Sequence, residues 1–180
     1  FPGAIITLHA ESGSLPALAP VNAIVDQMNL AFVPDLLVIP VGSTVEFPNS
    51  DVVSHQVYSF SSPRRFQLPL YRGKPYPPVR FEQPGLVTLG CNIHDNMLAY
   101  VLVTDAALFG RTDARGSWVA ADVPPGRYRV RTWHPRMNDA PESLERRVTV
   151  TESGAQVVLR LAGALRPAAM GGRPRSWDAN

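Results

Sequence analysis

The chain has 180 residues, enough for one large domain or two small ones with a real hydrophobic core. Its formal net charge of +2 is too small to predict nucleic-acid binding, and no apolar run approaches the roughly 18 residues that span a bilayer. Eighteen prolines and thirteen glycines argue against a helical bundle. Composition therefore favours a protein of many short strands.

Short apolar or alternating segments follow one another through the first part of the chain. Strands are predicted within residues 4–8, 23–25, 36–47 (two strands around a turn), 56–60, 80–82, 86–89 and 98–103. Residues 61–80 are predicted as a long excursion between strands. Seven or eight strands in about 100 residues, with no helical period, predict a Greek-key sandwich or barrel.

A second, smaller all-β module is predicted to follow. Its strands are placed at residues 117–123, 128–133, 147–150 and 156–161. A module of about 55 residues has a marginal core, so we expect it to pack against the first. The chain from residue 105 onward is basic: residues 105–180 hold 12 Lys and Arg against 8 Asp and Glu, interpreted as a solvated surface in preference to a docking patch.

The most informative segment is residues 90–97, which contain the single cysteine of the chain. Cys91, His94 and Met97 follow one another at intervals of three, so a thiolate, an imidazole and a thioether share one short loop. With a second histidine, this soft and mixed set describes a mononuclear copper site with two His and one Cys in a trigonal plane and a weak axial Met. His55, which follows an Asn/Ser/Asp turn, is predicted to supply that histidine.

Each of these side chains also has an ordinary alternative, as a small buried hydrophobe, a turn residue or core. Zinc is the main competing metal, but it would recruit more Cys, His or carboxylate ligands, and Met is a poor zinc ligand. Nucleophilic catalysis by Cys91 with His94 lacks a third, orienting group, so no enzymatic activity is expected. The four residue types together favour one copper ion per chain, as Cu(II) or Cu(I).

The other two histidines are predicted to have no metal role. His9 alternates with apolar residues on an amino-terminal strand and is interpreted as structural. His134 ends a strand beside a proline, where a second metal site would lack partners.

With these motifs in view, the chain resembles the cupredoxins, and the loop from Cys91 to Met97 has the short spacing of amicyanin. The approach to the first histidine is similar to that of plastocyanin, over residues 32–34, 41–49 and 55–57. The chain also resembles bacterial methylamine-utilization-like or plastocyanin-like periplasmic proteins, over residues 57–61, 65–71 and 90–95. The resemblance covers roughly residues 20–104, and it implies three equatorial copper ligands, His55, Cys91 and His94, with Met97 as the axial ligand.

One position departs from the family pattern. Many cupredoxins have Asn directly after the first histidine, where it ties the ligand loops together, and here Gln56 stands there. Asn49 and Asn92 are the candidates to replace it. The geometry around the ligands, the reduction potential and the colour are therefore left open.

The second module is similar to carboxypeptidase-regulatory-like, or transthyretin-like, domains, over residues 122–128 and 133–135. The chain is therefore predicted to be all-β. A Greek-key cupredoxin β-sandwich is expected at residues 1–104 and a small transthyretin-like β-sandwich at 105–162. A flexible tail, rich in Gly, Pro, Ala and Arg, is expected at 163–180.

The resemblance implies a periplasmic type 1 copper protein that carries single electrons between protein redox partners. Export is expected because the chain starts at Phe1 without an initiator Met, as after removal of a signal peptide. In cupredoxins the histidine on the cysteine loop, here His94, is the electron port and reaches an apolar patch. Candidates for that patch are Ile93, Leu98 and residues 68–71, and candidates for steering an acidic partner are Arg64, Arg65, Arg72 and Lys74.

Two other functions stay open from the sequence. A copper carrier or resistance protein would use the same ligands for binding without redox turnover. A pure interaction module would use the metal only to stabilise the fold. The sequence identifies neither the electron donor and acceptor nor the oligomeric state.

Overall fold

The computed structural model describes residues 1–12, 15–73, 75–138, 144–160 and 164–167. Within these ranges the chain forms fourteen strands and no helix, which confirms the predicted all-β class. Accordingly, the described part contains no helix that could cross a lipid bilayer. The strands are β1 (Ile5–Ser12), β2 (Asn22–Ile24), β3 (Asp26–Gln27), β4 (Phe32–Val33), β5 (Leu36–Pro40), β6 (Thr44–Glu46), β7 (His55–Ser59), β8 (Phe66–Tyr71), β9 (Val79–Arg80), β10 (Gly85–Gly90), β11 (Leu98–Thr104), β12 (Leu108–Arg111), β13 (Gly126–Trp133) and β14 (Glu145–Val150).

Strands β2 to β11 build the first module. A five-stranded sheet of order β5-β11-β10-β7-β8 accompanies a three-stranded sheet of order β2-β6-β9 and the β3–β4 hairpin. The alternation of side chains along a strand places one face of each strand in the core. In β10, for example, Val87 and Leu89 are fully buried while Leu86 and Thr88 are half-buried. The resulting apolar core includes Cys91 at its edge.

Strand β1 belongs to the sheet of the second module, whose order is β12-β1-β13-β14. Its Ile5 pairs with Trp133 and its Leu8 with Val130, both in antiparallel register. The sequence-based division counts this strand with residues 1–104, whereas its hydrogen-bonded neighbours are β12 and β13. The boundaries of that division stay a prediction.

The two modules share a buried cluster made of Ile5, Leu36, Leu102, Trp133 and Met137. The Trp133 ring meets the Tyr100 ring edge to face, with centroids 5.3 Å apart. Full burial of an aliphatic or aromatic side chain contributes about 1.5–3 kcal/mol. The contact therefore gives the small second module a core that it shares with its neighbour.

Two strands predicted in the second module do not form. Residues 117–123 and 156–160 pair with no strand; residue 161 lies outside the described residues. Val123 and Leu159 instead pack on the outer face of the second sheet, against Leu8, Tyr128 and Val130. These segments cover the sheet without extending it.

Most of the predicted tail at 163–180 lies outside the described residues. Its described part, residues 164–167, is anchored. The Arg166 backbone N–H donates to the Arg136 carbonyl at 2.8 Å, and its guanidinium donates to the carbonyls of Pro135 and Met137. The flexibility of the tail as a whole stays a prediction.

Candidate metal centre

The loop that carries Cys91, His94 and Met97 connects two paired strands. β10 ends at Gly90 and β11 starts at Leu98, and these two residues face each other in the antiparallel ladder. Within the loop, the Met97 backbone N–H donates to the His94 carbonyl at 3.0 Å. Strand pairing therefore fixes both ends of the seven-residue loop 91–97, and this backbone bond closes its second half.

His55 reaches this loop through the pairing of β7 with β10. His55 is the first residue of β7 and is fully buried. Further along β7, Tyr58 pairs with Gly90, directly before Cys91. A Cβ on residue 90 would lie 2.8 Å from the Tyr58 ring, so the close approach of these strands requires glycine.

Three potential donor atoms converge at this point. The Nδ1 atoms of His55 and His94 are 3.1 Å apart. The Cys91 Sγ lies 4.0 Å from the His55 Nδ1 and 3.9 Å from the His94 Nδ1. Among the described residues this is the one group of three or more His, Cys, Asp or Glu side chains that could hold a metal ion.

The size of this triangle suits a bound metal ion. A circle through three atoms at these separations has a radius of about 2.1–2.2 Å, which matches ordinary metal–nitrogen and metal–thiolate bonds of about 2.0–2.3 Å. A metal ion therefore fits in the plane of the donors. The group is suited to one copper ion.

Met97, the fourth predicted ligand, is buried, with 2% of its surface exposed, in the same apolar cluster as Cys91. Met97 follows His94 by three positions on the same loop, which is compatible with a role as axial ligand. That role stays a prediction.

Asp51 was not among the predicted site residues. Its Oδ2 lies 3.0 Å from the His55 Nε2, the ring nitrogen outside the triangle. The pKa of Asp51 is lowered to about 2, first by the hydrogen bond from the Leu30 backbone N–H and then by the bond with His55. The sequence signal that could have identified it is the acidic residue four positions before a candidate ligand, since ligating histidines commonly donate to a carboxylate.

Asn49, not Asn92, holds the loop that precedes His55. The Asn49 amide donates to the carbonyls of Val53 and Tyr71, at 3.0 and 2.8 Å. Asn49 is buried, whereas Asn92 is exposed. Asn49 thus ties the His55 loop to β8, although it does not bond to the Cys91 loop.

Gln56, at the position where many cupredoxins have Asn, is largely buried within β7. It faces an irregularity of β8, where Pro69 and Leu70 together oppose it in the ladder. Proline lacks the N–H that a regular ladder needs, which accounts for the bulge at this place.

The two remaining histidines lie in the second module. His9 is buried; its Nδ1 is 3.0 Å from Asp105 and its Nε2 is 3.0 Å from the Thr7 hydroxyl. The His134 Nδ1 accepts the Arg136 backbone N–H at 3.0 Å, and burial lowers the pKa of His134. Neither histidine joins a metal-binding group within the described residues.

Around the triangle the predicted apolar patch is only partly at the surface. Ile93 and Leu98 are about half exposed, and Leu70 is exposed, whereas Tyr71 is buried and Leu68 packs against the core. Of the predicted steering residues, Arg65 and Arg72 are exposed and Arg64 is half-buried, and Lys74 lies outside the described residues.

Comparison with solved structures finds cupredoxins and a copper enzyme. A copper-containing nitrite reductase from Thermus scotoductus SA-01 is 30% identical over 53% of this chain, with a TM-score of 0.44. The match spans only 25% of that reductase. A purple cupredoxin from Nitrosopumilus maritimus is 25% identical over 46% of this chain and 99% of its own, with a TM-score of 0.41. A reduced amicyanin variant is 20% identical over 57% and 99%, with a TM-score of 0.42.

No protein-family model matches the chain, and no curated protein matches it.

Proposed function

We propose that this chain is a periplasmic, mononuclear type 1 copper protein that carries single electrons between protein redox partners. The observation that carries the proposal is the triangle of two imidazole Nδ1 atoms and one cysteine Sγ, into whose plane a metal ion fits. Two His and one Cys in a trigonal plane with a weak axial Met form the donor set of electron-transfer copper sites. The proposed ligands are His55, Cys91, His94 and Met97.

The surrounding structure holds the donors in place, which suits electron transfer. His55 is fully buried and bonded to Asp51, and the cysteine loop is closed by its own backbone bond. Bound copper supplies the one-electron couple between Cu(II) and Cu(I). Donors that keep their positions in both states make the exchange of an electron fast.

Electron entry and exit are proposed at His94. Its ring is half-buried, while the ring of His55 has no exposed surface. The neighbouring side chains of Ile93 and Leu98 supply exposed apolar surface for a protein partner. Arg65 and Arg72 are proposed to steer an acidic partner, an effect that added salt would weaken.

The decisive test is the addition of Cu(II) to the apoprotein. We expect one ion per chain and an intense visible thiolate-to-copper charge-transfer band that ascorbate bleaches and an oxidant restores. Cys91→Ser, which replaces sulfur by oxygen at similar size, is expected to lose the band and keep the far-UV circular dichroism spectrum. A colourless protein that retains stoichiometric zinc would refute the proposal.

A copper carrier or resistance protein is the alternative function for the same ligands. The half-buried position of His94 favours it, because copper could enter and leave on that side. Competition with a chelator separates the two functions. Copper that stays bound through repeated redox cycles supports the electron carrier, and copper that passes readily to the chelator supports the copper carrier.

The periplasmic location is part of the proposal. A lone thiol escapes oxidation in such a compartment when it is buried and bound to a metal, and Cys91 is 4% exposed. The transthyretin-like character of residues 105–162 and any role of this module in partner binding likewise stay predictions.

A further inference from the structure

Asp51 contacts the candidate metal centre without facing the metal position. Its Oδ2 is 3.0 Å from the His55 Nε2, on the opposite side of the imidazole from the Nδ1 that joins the triangle. The Asp51 side chain is 11% exposed and the His55 side chain is fully buried. Water therefore has little access to the contact between them.

Three backbone contacts hold Asp51 in this position. Its Oδ2 also accepts the Leu30 N–H at 2.8 Å, and its Oδ1 accepts the Val52 N–H at 2.9 Å. Its own N–H donates to the Asn49 Oδ1 at 3.0 Å. The carboxylate thus has a fixed orientation before it meets His55.

The Leu30 N–H comes from an unusual turn between β3 and β4. Met28 and Ala31 exchange backbone hydrogen bonds, and the two residues between them have left-handed φ angles of 53° at Asn29 and 58° at Leu30. This is the two-residue hairpin geometry that normally calls for glycine at its second position. The strained turn thus supplies the N–H that anchors Asp51.

The contact also determines which ring nitrogen of His55 carries hydrogen. A carboxylate only accepts, and a neutral imidazole has one N–H, so the His55 Nε2 carries the hydrogen and its Nδ1 is bare. The His94 Nδ1 lies 3.1 Å from that bare nitrogen. A bare Nδ1 directed at Cys91 is the form of His55 that a metal requires.

We propose that Asp51 is the positioning residue of this metal centre: it selects the His55 tautomer, holds the ring toward Cys91 and His94, and connects the 28–31 turn to the copper site. The inference rests on the proposed copper function. Outer-sphere partners of this kind raise the basicity of the ligand, and their loss typically lowers metal affinity by about 10–100-fold.

The first experiment compares copper-loaded variants of the full chain. Asp51→Ala removes the acceptor and the charge, and Asp51→Asn removes the charge but keeps an oxygen acceptor. Asp95→Ala is the matched control, because Asp95 is exposed and lies next to His94 on the ligand loop. This variant also removes one carboxylate near the site, but not the one that contacts His55.

We expect Asp51→Ala to lower Cu(II) affinity by about 10–100-fold, to shift the charge-transfer band, and to raise the reduction potential more than Asp95→Ala does. Asp51→Asn should recover the band position and most of the affinity. An Asp51→Ala protein with an unchanged band and an affinity within about twofold of the parent chain would overturn the proposal. If Asp51→Ala does not fold, Asp51→Asn decides through its reduction potential: loss of the charge should raise it, and a potential equal to that of the parent chain would overturn the proposal.

The second experiment needs no metal, so the failure of the copper function and of this inference can be told apart. Long-range proton–nitrogen NMR of the apoprotein at about pH 8 reports the tautomer of each histidine ring. We expect the Nε2–H form for His55 in the parent chain, in Asp51→Asn and in Asp95→Ala, and a mixture in Asp51→Ala. A His55 ring that stays wholly in the Nε2–H form in Asp51→Ala would refute the role of Asp51, whatever the protein does with copper.

Discussion

His55 and His9 lie in different modules, and each is a buried imidazole paired with a carboxylate oxygen at 3.0 Å. They differ at the other ring nitrogen. In His9 that nitrogen is 3.0 Å from the Thr7 hydroxyl, so side chains engage both sides of the ring. In His55 it faces the Cys91 sulfur and the second histidine.

The charges around the two rings differ as well. Burial lowers the pKa of His9, Asp105 opposes this, and the positive charges of Arg131 and Arg129 of β13 lower the pKa further. Those charges would also repel a metal ion. A buried histidine–carboxylate pair is therefore not by itself a sign of a metal centre. The groups that face the second ring nitrogen decide whether the histidine can bind a metal.

The largest expected difference between the two regions is in copper binding. His55→Ala should lower Cu(II) affinity by more than about 100-fold, beyond the usual effect of losing an outer-sphere partner. His9→Ala should leave the affinity within about twofold and instead destabilise the apoprotein by about 1–3 kcal/mol, because the buried Thr7 hydroxyl loses its partner. Chelator competition and urea unfolding measure the two effects. An equal loss of Cu(II) affinity in both variants would refute this difference between the two histidines.

His9 also gives the comparison a pH dependence. Burial lowers the pKa of His9 below its usual 6.5. Below about pH 6.5 the unfolded chain therefore binds a proton that the folded chain binds less readily, and stability falls as the pH decreases toward the lowered pKa. One such group contributes at most about 1.4 kcal/mol per pH unit.

Urea unfolding of the apoprotein between about pH 7.5 and 5.5 tests this dependence. His9→Gln should make the fall of the unfolding free energy with decreasing pH shallower. His134, whose pKa burial also lowers, should account for the pH dependence that remains. Identical slopes in the parent chain and in His9→Gln would contradict this assignment.

The smallest expected effect concerns the turn that anchors Asp51. Leu30→Gly should stabilise the protein by about 0.5–1 kcal/mol, because a left-handed conformation costs a leucine about 1–2 kcal/mol and glycine regains part of that against its greater freedom in the unfolded chain. The backbone N–H remains, so the copper band should not change. Leu30→Ala is the control: it removes the same side chain and keeps the strained φ. A gain in stability with alanine equal to that with glycine would show that the conformation is not the cause.

The ligand loop could be predicted from the sequence because it is local. Cys91, His94 and Met97 lie within seven positions, between segments whose alternation predicts strands, and β10 and β11 pair around them as a hairpin. His55 is 36 positions before Cys91. Its residue type could be proposed, but its approach depends on the pairing of β7 with β10.

Long-range pairing also explains what the sequence did not reveal. β1 alternates like any half-buried strand, so its pattern suits either sheet, and its partner β13 begins more than 100 positions later. Residues 117–123 have strand-like composition but pair with no strand of the sheet β12-β1-β13-β14, and Val123 packs on its face instead.

The sequence by itself determined the all-β class and the types and order of the candidate donors along the chain, because residue type and short-range spacing decide these. Only the tertiary structure decided which nitrogen of His55 faces the thiol. That choice is made by Asp51 and by the Leu30 N–H of a turn between two other strands, and hydrogen bonds between distant segments exist only once the sheets have assembled.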